Sequence, residues 1–285
     1  MRISGDPDPL YVAARRVLLD SLEAMEQHLR ALVLVGAQAV YLQTGEADMA
    51  VSPYTTDGDL VIDPTRLGPE PLIEVSMEQA GFRLLEGSVG IWQIYVEVEG
   101  IKRTIGIDLL VPESVGGQGR RAARIPPHAR LTARKAAGLE GALVDRDLHK
   151  IGALDPVDTR QFELLVAGPA ALIVAKVYKI MDRADEADRR SDKDALDMYR
   201  LLRAFTTQNL TQRFRRLLSD PLSLEVSEIT REQLTHLFGR TNAIGTQMAV
   251  RAAYPLESGE TLAASLVALT EDLLSELLRN EEITS

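Results

Sequence analysis

Thr55-Thr56-Asp57-Gly58-Asp59-Leu60-Val61-Ile62-Asp63 is the stretch on which the reading of this chain turns. An apolar strand begins there with two carboxylates one residue apart. A strand has period two, so Asp57 and Asp59 project from the same face. Held that close, two carboxylates repel each other unless a cation lies between them. Hard oxygen donors suit Mg²⁺, which takes one or two carboxylates and completes its shell with water and phosphate oxygens. Upstream, Leu32-Val33-Leu34-Val35-Gly36-Ala37 runs from a buried strand into a small-residue turn. A glycine between strand and helix lets the backbone approach a phosphate, and the helix N-terminus offers N–H groups. Its plainer alternative is a tight turn.

Working outward, leucines, alanines and valines at three-to-four spacing predict a helix over 8–30, followed by a strand at 31–35 and a short helix over 37–43. A loop over 45–56 leads to the aspartate strand, and a second helix over 70–80 ends at Gly81. Three strands follow: 82–86, 91–98 with clear alternation, and 103–111. The last contains Thr104-Ile105-Gly106-Ile107-Asp108-Leu109-Leu110-Val111, one acid in an apolar run. An isolated ionised Asp there is expensive to bury unless something pairs with it. Beside the 57–63 strand it becomes a third carboxylate. Three such acids can hold one or two Mg²⁺ ions and take the proton of an attacking hydroxyl. The plainer alternative has Asp57 and Asp59 capping a turn and Asp108 at a solvated strand end.

With 285 residues, 45% hydrophobic and 26% charged, the chain has the composition of a soluble globular protein, long enough for two lobes. It contains no cysteine, which excludes disulfides, a thiol nucleophile and Cys-ligated zinc and favours a reducing cytoplasm. The four histidines, His28, His128, His149 and His236, have no helix-face metal spacing. The N-terminal sequence predicts no signal peptide, and no apolar run approaches a membrane span. A net charge of −10 argues against indiscriminate nucleic-acid binding, though a local basic surface can still meet a polynucleotide.

From 112 to 140 the chain reads as a basic loop: Arg120, Arg121, Arg124, Arg130, Arg134 and Lys135 occur with no acid between Glu113 and Glu140. It is the best candidate for a phosphate backbone, against the reading of a solvated loop that balances charge. Trp92, Tyr95, Phe162 and Phe82 read as core. Short strands are expected in 141–154 and 160–166, then helices over 169–187, 192–205, 207–218, 228–248 and 257–280. In the first of these, Lys176 lies among Ile173, Val174, Ala175 and Val177, an odd setting for a surface lysine. Lys179 and Arg183 follow near the same face, and Lys193-Asp194-Ala195-Leu196-Asp197 comes next. Such a face can hold triphosphate oxygens, with Asp194 and Asp197 either orienting the lysine or facing water beside Lys193 and Arg200; the plainer alternative for the lysines is a solvated helix face. The expected class is α/β: a mixed sheet in a catalytic lobe of residues 1–160, and a mainly helical lobe of residues 161–285.

The ordered set, strand-Gly36-Ala37, Thr55-x-Asp57-x-Asp59, strand Asp108, Lys176…Arg183 and Lys193-Asp194-x-x-Asp197, resembles the AbiEii/AbiGii-type toxins over about residues 30–205. These are a branch of the DNA polymerase β-like nucleotidyltransferase superfamily that includes the MenT toxins. The resemblance implies Mg²⁺-dependent transfer of a nucleotide from an NTP to the 3′ end of tRNA, which blocks translation, and a cognate antitoxin protein as partner. It implies Asp57 and Asp59 as metal ligands, Asp108 as third ligand and general base, and Lys176 and Asp194 as catalytic residues. Gly36, Ala37, Thr56, Lys176 and Arg183 would meet the nucleotide. The chain departs from the pattern in having Gly36-Ala37 for a Gly-Gly pair, Pro53 where an Arg is usual, and an apparent insertion at 45–54. A protein or small-molecule acceptor, or a fold that binds without catalysing, are the alternatives.

Overall fold

The computed structural model describes residues 7–45, 54–182 and 189–279. It is an α/β structure with a mixed sheet and a helical C-terminal region. The elements are α1 (Pro9–Ala24), β1 (Leu32–Val35), α2 (Gly36–Thr44), β2 (Asp57–Ile62), α3 (Ile73–Gln79), β3 (Arg83–Leu84), β4 (Ile91–Val98), β5 (Ile101–Pro112), β6 (Arg134–Ala136), β7 (Arg146–Gly152) and β8 (Gln161–Ala167). Helices α4 (Pro169–Asp182), α5 (Arg189–Ala204), α6 (Thr207–Ser219), α7 (Leu224–Phe238), α8 (Ile244–Ala253) and α9 (Gly259–Arg279) complete it. Two compact units emerge, each drawn from several stretches of chain. Met1–Gln38, Ser52–Leu139 and Arg146–Val166 form the first, and Ala39–Val51, Glu140–Asp145 and Ala167–Ser285 the second.

In the first unit the strands run in the order β3-β4-β5-β2-β1-β8-β7, with β6 added to β5. β2 is antiparallel to β1 and parallel to β5, and β4 and β5 form a long antiparallel hairpin. Helix α1 packs across β2, β4 and β5, where Val17, Leu18 and Leu22 close over Leu60, Ile62, Ile105, Ile107 and Trp92, all buried. Asp57, Asp59, Thr104, Gly106 and Asp108 occupy the alternate positions of the same strands and so lie on the opposite face of the sheet. The N-terminus of α1 is fixed by the side chain of Asp8, which accepts from Leu10 N at 2.8 Å, with Pro9 in the first turn.

The sequence predicted one helix over 8–30, but α1 stops at Ala24 and a 3-10 turn covers Glu26–Ala31. His28 turns inward there, its Nε2 donating to the Pro71 carbonyl at 2.7 Å. The basic stretch also differs from a plain loop, since β6 forms inside it and pairs in parallel with β5. Gly90, at φ +70°, makes that pairing possible: a Cβ there would fall 2.5 Å from Arg134 N and 2.6 Å from Leu109 O.

In the second unit α4 is buried on nearly every side and packs against α5, α6 and α7. Its N-terminus is held by Asp145, fully buried, whose Oδ2 accepts from Ala170 N at 3.1 Å and Ala171 N at 3.2 Å. Arg213 Nη1 reaches the other oxygen at 2.6 Å. The helix expected over 228–248 is two: Gly239 closes α7, and Ile244 opens α8. Gly245 allows the new helix to press on the old one, since a Cβ there would lie 2.6 Å from Phe238 Cε1. No helix among the described residues is long and apolar enough to cross a membrane.

Candidate functional site

The parallel pairing of β2 and β5 sets Asp59 directly opposite Asp108 and Asp57 opposite Gly106. Neighbouring strands lie ~4.8 Å apart, so the three carboxylates share one patch of the sheet face. Asp57 is exposed, and Asp59 and Asp108 are half-buried. Gly58, between the two acids, faces the other way: a Cβ there would come to 3.0 Å from Ile107 Cδ1 and 3.4 Å from Leu18 Cδ1. The glycine lets β2 lie under α1 while its neighbours stay on the open face.

Gly36 ends the approach of β1, with Val35 paired to Asp59, and starts α2 at φ +69°. A Cβ at Gly36 would stand 1.9 Å from Asp59 Oδ2. The Asp59 carboxylate therefore occupies the space that a side chain at the helix start would take, where the positive end of the helix favours an anion. Ala37 and Thr56 are half-buried nearby in sequence. Asp57 is fixed from two sides. Thr55 Oγ1 donates to its Oδ1, and Gln38 Nε2 donates to its carbonyl at 3.0 Å. Gln38 is itself held by the buried Arg15, whose Nε donates to Gln38 Oε1 at 2.8 Å.

Asp108 has a partner that sequence reasoning did not single out. Arg134 Nη2, from β6, donates to Asp108 Oδ2 at 2.6 Å, while Arg134 Nε is buried without a hydrogen-bond partner. Only membership of the basic stretch pointed to Arg134, because a three-residue strand leaves little trace in sequence.

Among the described residues no three acidic or histidine side chains gather closely enough to hold a metal ion. The Asp108 carboxylate is committed to Arg134 instead. The donor set nevertheless fits a hard divalent cation: three carboxylates on one face, with Asp59 and Asp108 in register and the Arg134 guanidinium standing as the positive partner of Asp108.

In the second unit Lys176 Nζ lies 2.7 Å from Asp194 Oδ1 and 2.6 Å from Asp197 Oδ2, with all three side chains buried. Asp194 and Asp197 are i,i+3 neighbours on α5, which presents both to one lysine of α4. Arg200 Nε stands 4.0 Å from Asp197 Oδ1, and the half-exposed Lys179 lies 3.7 Å from Asp194 Oδ1. Burial pulls the Lys176 ammonium down, but Asp194 and Asp197 outweigh it and hold it above the ordinary lysine range. Burial pushes the Asp197 carboxyl up, against the pull of Lys176. Two of the three Lys176 hydrogens are thus given to aspartates.

The aspartates 57, 59 and 108 are brought together with Gly36 in the first unit, and Lys176 with Asp194 in the second. Arg183 lies outside the described residues. His28 and His128 are buried; His128 Nδ1 accepts from Ile73 N at 3.2 Å, and its Nε2 lies 3.0 Å from the Gly68 carbonyl. His236 is exposed. Trp92 and Phe82 are core, but Tyr95 is 60% exposed, because β4 alternates and Tyr95 falls on the aspartate face. Compared with family models, curated proteins and solved structures, the chain matches none.

Proposed function

We propose that the chain is a Mg²⁺-dependent nucleotidyltransferase that moves a nucleotide from an NTP to the 3′ hydroxyl of an RNA. The class of acceptor is tRNA, and the setting is a toxin–antitoxin pair with a cognate antitoxin protein. One observation carries the chemistry: Asp59 stands in register with Asp108 on paired strands, two residues from Asp57 and against the glycine that opens α2.

In this reading Asp57, Asp59 and Asp108 would hold the metal, which would supply neutralisation of phosphate charge and a more acidic attacking hydroxyl. The acceptor oxygen bonds to the α-phosphorus, the bond to the pyrophosphate oxygen breaks, and pyrophosphate leaves. Asp108 Oδ2 receives the hydroxyl proton, which requires Arg134 to release it. Gly36, Ala37 and Thr56 give the phosphates a close approach to backbone, while Lys176 and Asp194 act as the charged pair of the helical unit.

The closed Lys176–Asp194–Asp197 cluster and the Asp108–Arg134 pair favour a second reading, a fold that binds without catalysing. Label transfer separates the two. Purified protein, Mg²⁺, each α-³²P NTP in turn and total RNA should yield a labelled tRNA-sized product, absent with Asp59→Asn. No product with any NTP from a folded protein overturns RNA as the acceptor, and no product when cell extract replaces the RNA overturns the catalytic reading as well.

A further inference from the structure

The open face of the sheet continues well beyond the three aspartates. The pairing registers put Asp57 beside Gly106, Gly106 beside Gln93 and Gln93 beside Arg83, one row across β2, β5, β4 and β3. Three strand spacings separate its ends, about 14 Å. The next row places Tyr95 opposite Thr104, and the one after it Glu97 opposite Lys102. All these side chains share the aspartate face, because residues directly opposite in a sheet point the same way.

Three features of this surface argue for a ligand. Tyr95 is 60% exposed, with the Lys102 ammonium 4.2 Å from its ring centroid. Lys102 covers one side of the ring and sets a cation beside it, where a backbone phosphate of a stacked strand would come. Gly106 leaves the sheet bare between Tyr95 and Asp57: a Cβ there would meet only Trp92 O at 3.8 Å and Asp57 Cβ at 3.9 Å. Finally, the charges are ordered, with Arg83 and Lys102 exposed at the far side and the carboxylates at the near side. Glu97, opposite Lys102, adds an acid to the far side.

We infer that this shelf receives the 3′-terminal segment of a single-stranded RNA, with a base stacked on Tyr95 and backbone phosphates at Arg83 and Lys102. Gln93 and Thr104 offer hydrogen bonds to a base edge or a 2′-hydroxyl. The occupant follows from the chemistry. Stacking on an exposed aromatic flanked by cations is how single strands are held without base pairing, whereas a duplex buries the base faces that Tyr95 would meet. The bare sheet at Gly106 then leads the chain end to the aspartates. This assignment rests on the nucleotidyltransferase reading, which it supplies with an acceptor path.

Binding is measured on the full chain by fluorescence anisotropy, with a labelled ten-nucleotide RNA and neither NTP nor Mg²⁺. Tyr95→Ala should weaken binding about tenfold, within the range for loss of one stacked base, while Tyr95→Phe stays within about twofold of wild type. Arg83→Ala with Lys102→Ala should flatten the salt dependence by about 1.4 in slope, the value for two phosphate contacts to a single strand. Blunt duplex RNA should bind more weakly than the single strand. These substitutions are at exposed positions, so folding is checked simply by circular dichroism. RNA binding indifferent to both Tyr95→Ala and the double substitution, or no binding at all, overturns the shelf. Tyr95-dependent binding without label transfer leaves the shelf standing and overturns transfer to RNA instead.

Discussion

Gly36 and Lys176 are single residues whose surroundings fix what a substitution does. Alanine at 36 meets a positive φ and places its Cβ 1.9 Å from Asp59 Oδ2. The backbone strain alone costs about 1–2 kcal/mol, and the displaced Asp59 should take nucleotidyl transfer with it. Thermal unfolding and label transfer on Gly36→Ala read both. Lys176 acts through charge. Asp194 and Asp197 raise its folded pKa above the unfolded value, so its stabilisation is complete below about pH 10.4 and fades as pH climbs through the folded value. Lys176→Met leaves two buried carboxylates without their cation, a loss of about 3–5 kcal/mol at pH 7. Buried acids with raised pKa favour the folded state when protonated, and that benefit disappears as pH rises through the folded value. The gap between Lys176→Met and wild type should therefore narrow towards pH 4 in urea titrations. A gap independent of pH would mean that the lysine matters only by its packing.

Elements carry the next level of the design. Helix α4 delivers Lys176, and its first turn is tied down by Asp145, with Arg213 on the other carboxylate oxygen. Asp145→Ala takes the acceptor from two buried backbone N–H groups and from the half-buried Arg213, a loss of about 2–3 kcal/mol visible as a lower urea midpoint. Asp145→Asn, which keeps an acceptor for the helix, should fall between. On β5, Gly106→Val fits the fold, since a Cβ there makes only ordinary contacts, yet it plants a side chain between Tyr95 and Asp57. Transfer should fall at least tenfold with the melting temperature nearly unchanged. The aspartates were legible because alternation is local: two acids at i,i+2, and one acid alone in an apolar strand. The register that sets Asp59 against Asp108 was not, because it depends on which strands pair across a long separation. Arg134 and Asp145 were illegible for the same reason, each finding its partner more than twenty residues away. The β4 alternation already held the answer for Tyr95, whose aromatic character suggested core while its position lay on the polar face.

For the whole molecule, metal binding is a term in global stability. Mg²⁺ at a hundred times its dissociation constant should raise the unfolding free energy by about 2.7 kcal/mol, and Asp59→Asn should abolish that rise. Equal stabilisation of both proteins would point to general screening of a chain whose net charge is −10. The division into units has a consequence for the order in which the protein can be made. The first unit takes its last segment from Arg146–Val166, so on a ribosome all of its sequence has been synthesised before α4 is begun. The second already has Ala39–Val51 and Glu140–Asp145 threaded through the other's sequence and must wait for Ala167–Ser285. No single cut separates the two, and a split at any one point divides at least one of them. A single recombination junction can exchange neither unit as a cassette, because each is written in more than one stretch of sequence.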